Sequence, residues 1–207
     1  MAEGRAMEPF KHLDAVAAPM EAPNVDTDQI IPARFLYRKR KEGWAHLLFH
    51  DLRFNDDGSP KAGFLLNTPP YGEARVLVAD RNFACGSSRE HAVWSLYDYG
   101  FRVVIAKSFG DIFFGNSFQN GLLPIVLPGE RVEALRALLT EKPGAHIVVD
   151  LEKQEVRGPD GKVDHFEIDP FRKQCLLAGT DDVTFTLSNL DRIAAFERAY
   201  EQKVGWV

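Results

Sequence analysis

Arg75-Val76-Leu77-Val78-Ala79-Asp80 is a continuous apolar run, and Cys85-Gly86-Ser87-Ser88-Arg89-Glu90-His91 opens a helical pattern that continues to Tyr99. A short apolar run followed by a polar, glycine-containing turn and then a helix is the strand-to-helix unit of an α/β protein. The same alternation repeats downstream. Phe101 to Ala106 reads as a second buried strand, Asp111 to Phe118 as a short helix, and Leu122 to Leu127 as a third strand. Strands separated by helices predict a parallel α/β core. Arg131 to Thr140 then carries Val132, Leu135, Leu138 and Leu139 on one stripe, as an amphipathic helix does.

Upstream, Phe10 to Pro19 reads as a first strand. Pro23 to Gln29 reads as a loop rich in short oxygen-bearing side chains, closed by Ile30-Ile31-Pro32. Glu42 to His50 is expected to form a short helix, and residues 53–73 to form a long loop or lid containing Asn55-Asp56-Asp57-Gly58 and Pro69-Pro70. Downstream, His146 to Leu151 and Val163 to Ile168 flank the turn signal Gly158-Pro159-Asp160-Gly161, which predicts a β-hairpin. Phe171 to Ala178 reads as a helix. Ser188 to Gln202 reads as a closing helix with Leu190, Ile193, Ala194 and Tyr200 facing inward. No linker divides the pattern, so residues 1–207 are expected to form one domain, with residues 1–9 disordered.

A chain of 207 residues with 45% apolar and 27% charged residues has the composition of a globular protein with a full core. Its net charge of −5 lacks the basic excess of a nucleic-acid binder. No apolar run approaches the ~18 residues of a membrane span, and Met1 to Pro9 does not read as a signal peptide. The two cysteines, Cys85 and Cys175, are too few for a four-cysteine zinc site or an iron–sulfur cluster of ordinary ligation. So few thiols in a chain of this length suit a reducing cytoplasm.

The turn itself allows two readings. Ser87-Ser88-Arg89-Glu90 fits a capping box, with Ser87 as N-cap and Glu90 at the third helical position. On that reading Arg89 is a solvated side chain, His91 a packed one and Cys85 a small hydrophobe. On the other, unpaired amides and the positive end of the helix dipole favour an alkoxide or a bound carboxylate. Arg89 then adds a fork that fits a carboxylate bidentately. Acyl transfer by a Ser87–His91 or Cys85–His91 pair is disfavoured, because the G-x-S-x-G elbow is absent. A P-loop is excluded by its missing glycine and lysine positions.

Asn82-Phe83-Ala84-Cys85-Gly86-Ser87-Ser88-Arg89-Glu90-His91-Ala92 resembles the signature of the aconitase-superfamily swivelling domain. Asn24 to Pro32, Asp98 to Ala106 and Gly121 to Ile125 agree with it in order, and Val149 to Glu152 and Ile168 to Leu177 match the isopropylmalate dehydratase small-subunit branch. The resemblance spans roughly residues 10–200. It implies a swivelling β/β/α domain with a mostly parallel central sheet and an added C-terminal hairpin and helices. It also implies dehydration and rehydration of a small hydroxy dicarboxylate, in the cytoplasm, at a site shared with a large subunit. A [4Fe–4S] cluster is expected on that subunit, and no cofactor on this chain.

By position, Ser87 would be the base. Ser88, Arg89 and Asp28 would bind substrate, and Arg34 is a candidate second carboxylate contact. Lys107-Ser108-Phe109, after the second strand, would form a supporting wall. Leu36, Tyr37, Phe64 and Leu65 offer an apolar wall for a branched side chain. Related hydratases acting on homoaconitate, citraconate or dimethylmalate are the nearest alternative, and a non-catalytic carboxylate-binding module is the alternative of another class. Two departures from the family pattern stand out. Ala84 occupies a position where glycine is usual, which matters only if its φ is positive, and Val93 stands where proline is common.

Overall fold

The computed structural model describes residues 7–205. Its strands are β1 (His12–Pro19), β2 (Val76–Val78), β3 (Val103–Ala106), β4 (Leu123–Val126), β5 (His146–Asp150), β6 (Glu155–Arg157) and β7 (Val163–His165). They form one sheet in the order β4-β3-β2-β1-β5-β6-β7. The pairings from β1 to β4 are parallel, and those from β1 through β5 to β7 are antiparallel. The Gly158 to Gly161 turn is where the sequence puts it, but it joins β6 to β7. Glu155–Arg157 is too short to announce itself as a strand, so the expected hairpin is a three-stranded meander.

The helices are α1 (Thr27–Ile30), α2 (His50–Arg53), α3 (Glu90–Tyr99), α4 (Asp111–Gln119), α5 (Gly129–Glu141), α6 (Pro170–Ala178), α7 (Asp182–Leu187) and α8 (Leu190–Val204). Side-chain alternation in β2 and β3 divides the core between the two sheet faces. Leu77, Val104 and Ala106 join Ala92, Val93 and Leu96 of α3 in one cluster. Val76, Val78, Val103 and Ile105 join Val132, Leu135 and Leu139 of α5 and Leu176 of α6 in the other.

The helix expected over 42–50 is replaced by 3-10 turns at Arg40–Glu42 and Ala45–Leu47, followed by α2. Trp44, Leu47, Leu48 and Phe49 are consecutive or nearly so, and all are buried in the α3-side core. A regular helix would aim such a run around its whole circumference, so the chain breaks, with Phe49 in the left-handed region at φ 50°. Residues 53–73 are tied down. Asn67 Nδ2 donates to the carbonyls of Arg53 (2.7 Å) and Lys61 (3.1 Å), and the Tyr71 hydroxyl donates to the Leu139 carbonyl at 2.7 Å. Of the stretch expected to be disordered, residues 1–6 lie outside the described residues. Met7 and Pro9 run close past Gly121 and Gly179.

The closing helix departs most from expectation. No residue of α8 is buried: Leu190 is 54% exposed and Tyr200 48%, while Ile193 and Ala194 are half-buried. The parallel strands are already covered on one face by α3 and on the other by α5 and α6, and the apolar stripe of α8 stays largely in solvent.

Candidate functional site

The site forms where the loops after β1, β2 and β3 run side by side, beyond the carboxyl ends of the parallel strands. Parallel bridges pair Asp26 with Cys85 and Phe83 with Phe109. The Thr27 N–H donates to the Cys85 carbonyl at 3.0 Å, Phe83 N–H to the Ser108 carbonyl at 3.0 Å and Gly110 N–H to the Phe83 carbonyl at 2.9 Å. Ser108 Oγ also accepts from Asn82 N–H at 2.8 Å, so the Lys107 to Phe109 segment is bonded to the turn at Ser108. Lys107 itself turns to Asp80 and Glu133, whose carboxylates raise its pKa.

Two local devices shape this turn. Asp26 caps α1: its Oδ1 accepts from Gln29 N–H at 2.8 Å, and Gln29 Oε1 accepts from Asp26 N–H at 2.9 Å. The short-oxygen segment read as a loop is therefore the start of a capped helical turn. The buried Thr27 then donates its hydroxyl to the Ser87 carbonyl at 3.1 Å. The second device is left-handed backbone at alternate positions, with φ of 56° at Asn82, 57° at Ala84 and 92° at Gly86. Ala84 thus does sit where a glycine would be relaxed. The cost is about 1–2 kcal/mol, sustained because Gly110 approaches so closely that a Cβ there would meet the Ala84 carbonyl oxygen at 2.5 Å.

The capping box expected at Ser87 does not form. The N-cap of α3 is Arg89, without a side-chain cap bond. Glu90, which would have closed the box, instead accepts from Asn120 Nδ2 of the α4 C-cap at 2.9 Å. Ser87 and Ser88 are exposed, and among the described residues neither hydroxyl has a hydrogen-bond partner.

Arg89 is nearly buried, its side chain 12% exposed. It forms an ion pair with Asp28, which is 55% exposed, and donates to the Ile31 carbonyl at 3.4 Å. The hydrogen bond from Arg89 holds the Asp28 carboxyl below its usual pKa, and Asp28 Oδ1 also accepts from Ala33 N–H at 3.3 Å. Asp28, Ser87, Ser88 and Arg89 therefore lie on two adjoining segments. Arg34 is directed elsewhere. It donates to Asp51 Oδ2 at 2.8 Å, lies over the Phe35 ring at 4.5 Å, and lowers the Asp51 pKa to about 2.

His91 packs between Trp44 and Trp94, with ring centroids 4.9 and 4.6 Å away, and burial pushes its pKa down. The Cys85 thiol reaches the Asn24 carbonyl at 3.6 Å, and Cys175 is buried. The eye-catching thiol and imidazole of the turn thus serve packing. Of the residues offered as an apolar wall, Leu36, Phe64 and Leu65 pack against the α3-side core. Phe64 and Leu65 line a cavity of about 190 Å³ with Met20, Val25 and Gln29, Leu36 is half-buried, and Tyr37 is 81% exposed.

A cluster requires about four thiolate ligands. Two thiols, one in the site loop and one buried on α6, do not fit it. Among the described residues no group of three or more His, Cys, Asp or Glu side chains could hold a metal ion, and no helix is long and apolar enough to cross a membrane.

Residues 7–130 match the family model of the aconitase C-terminal domain, and residues 133–170 match the model described as LeuD_N. The 3-isopropylmalate dehydratase small subunit of Parvibaculum lavamentivorans is 50% identical over 201 residues, 97% of this chain and 100% of that protein. The protein of the same name from Leptospira interrogans is 48% identical over 203 residues, covering 97% and 98%. A crystal structure of 3-isopropylmalate dehydratase from Methanocaldococcus jannaschii superposes with a TM-score of 0.64 at 29% identity, covering 89% of this chain and 99% of that one.

Proposed function

The chain belongs to the family of 3-isopropylmalate dehydratase small subunits, and on that premise we propose how its residues serve the reaction. As a member it is one component of a hydro-lyase of leucine biosynthesis, completed by a large subunit. In our reading that subunit carries the [4Fe–4S] cluster, which supplies Lewis acidity toward the departing hydroxyl. This chain supplies the proton transfer and the carboxylate recognition, in the cytoplasm.

Ser87 Oγ takes the proton from the carbon beside the hydroxyl-bearing one, giving the unsaturated dicarboxylate, and returns a proton when water adds back. A serine is far too weak a base unaided. Its alkoxide is favoured by the positive N-terminal end of α3 and the charge of Arg89, two residues on, without a direct bond to either. Ser88 and Arg89 receive a substrate carboxylate, and Asp28 orients Arg89 while the site is empty. Arg34 is a second carboxylate contact only if it leaves Asp51.

The observation that carries this reading is the pairing of two exposed, unbonded hydroxyls with a nearly buried arginine on one strand-to-helix turn. A turn built only to cap α3 would have bonded Ser87 to the helix amides, and it does not. The test is anaerobic reconstitution with the large subunit, following isopropylmaleate by absorbance. Ser87→Ala should lower kcat by about 10²–10⁴-fold, and unchanged turnover would reject Ser87 as the base.

A further inference from the structure

Arg89 lies two residues after Ser87 on the same turn, and a carboxylate, Asp28, already pairs with its NH1. Arg89 is 12% exposed, so its guanidinium is reached from few directions, whereas Asp28 is 55% exposed and reaches water freely. Asp28 Oδ1 also accepts from the Ala33 N–H at 3.3 Å. A substrate carboxylate approaching Arg89 meets this resident group first. A substrate carboxylate that grips the fork end-on needs NH1, which Asp28 and the Ile31 carbonyl already engage, so one of the two carboxylates must yield there. The exposed one yields at little cost, because its ion pair is largely solvated and water replaces the lost contact.

We propose that Asp28 is a resident stand-in for the substrate carboxylate: it holds and neutralises Arg89 while the site is empty and swings off it when a dicarboxylate binds. The inference rests on the reading of Arg89 as the carboxylate receptor. Asp28 is then a positioning residue with an affinity cost, since only the fraction of molecules with Arg89 released is competent to bind. The Arg89 hydrogen bond that keeps Asp28 ionised well below neutral pH agrees with a contact present throughout the working range.

The test uses the reconstituted complex and succinate, a dicarboxylate that cannot be dehydrated, as competitive inhibitor. Asp28→Asn should lower the Ki of succinate and the KM of substrate by about two- to fivefold, the size of a partly exposed ion pair. Asp28→Ala should do the same, which separates the effect from any new bond made by the amide. An unchanged or raised Ki in both variants overturns the proposal and leaves Asp28 as a substrate contact or a structural residue. Arg89→Gln, run in parallel, tests the premise separately. It should raise the Ki of succinate more than tenfold, and an unchanged Ki there would show that Arg89 is not the receptor at all.

Discussion

Arg131 and Arg89 are both nearly buried and both engaged by aspartate, yet they stand in opposite situations. Arg131 lies at the start of α5 and reaches across to the β6–β7 meander. Its NH1 donates to Asp160 at 2.7 Å, NH2 to Asp160 at 3.1 Å and Nε to Asp164 at 2.6 Å. All the partners are shielded, the arginine at 9% and the acids at 21% and 22% exposure. Arg89 has one acid, and that acid is 55% exposed. A fork filled from two sides by shielded carboxylates is a rivet. A shielded fork filled from one side by a solvated carboxylate is what the proposed receptor with a removable occupant requires. The difference teaches that an arginine's burial alone does not tell its role; the exposure of its partner does.

The comparison can be broken by exchanging the expected effects. Arg89→Met in the reconstituted enzyme should lower kcat/KM by about 10²-fold or more, as loss of a desolvated charge partner does. Its effect on urea stability should be under about 1 kcal/mol. Arg131→Met should do the reverse. It strands two shielded carboxylates, which costs about 2–4 kcal/mol once partial solvation is allowed for, and leaves turnover per folded molecule near the parent value. Equal stability losses in the two variants would erase the distinction.

The backbone beneath Arg89 sharpens it. Gly110→Ala puts a methyl group against the Ala84 carbonyl oxygen, and a chemical melt should show a loss of about 1–3 kcal/mol, together with reduced turnover because the Ser87 loop shifts. Ala84→Gly acts in the opposite sense. It relieves the left-handed backbone at the price of a freer unfolded chain, and should stabilise by up to about 1 kcal/mol. A destabilised glycine variant would mean that the alanine methyl, buried in the core, matters more than the strain.

Much of this was legible beforehand where periodicity and turn chemistry agree. β2, α3, β3, α4 and β4 follow apolar runs and turn signals closely, and two of the resemblance motifs, Asn24 to Pro32 and Asn82 to Ala92, fall on loops that meet at the site. The misreadings have particular causes. Ser87-Ser88-Arg89-Glu90 satisfies the capping-box pattern, but Glu90 finds Asn120, thirty positions along and so invisible to a local pattern. Asp26 and Gln29 do form such a box inside a segment whose short polar residues read as loop. Arg34 is drawn off by Asp51, seventeen positions away. The stripe of α8 has the right period for packing, but period does not say whether the helix is seated, and no residue of α8 is buried.

The claim at the centre of the account is that the Ser87–Arg89 turn is one half of an active site whose other half arrives on the large subunit. The direct measurement is isopropylmaleate absorbance under anaerobic conditions, with each purified subunit alone, the mixture, and the mixture with Ser87→Ala. The account predicts turnover in the mixture only, reduced about 10²–10⁴-fold by Ser87→Ala. Turnover by this chain alone, or full turnover in the mixture containing Ser87→Ala, would contradict it.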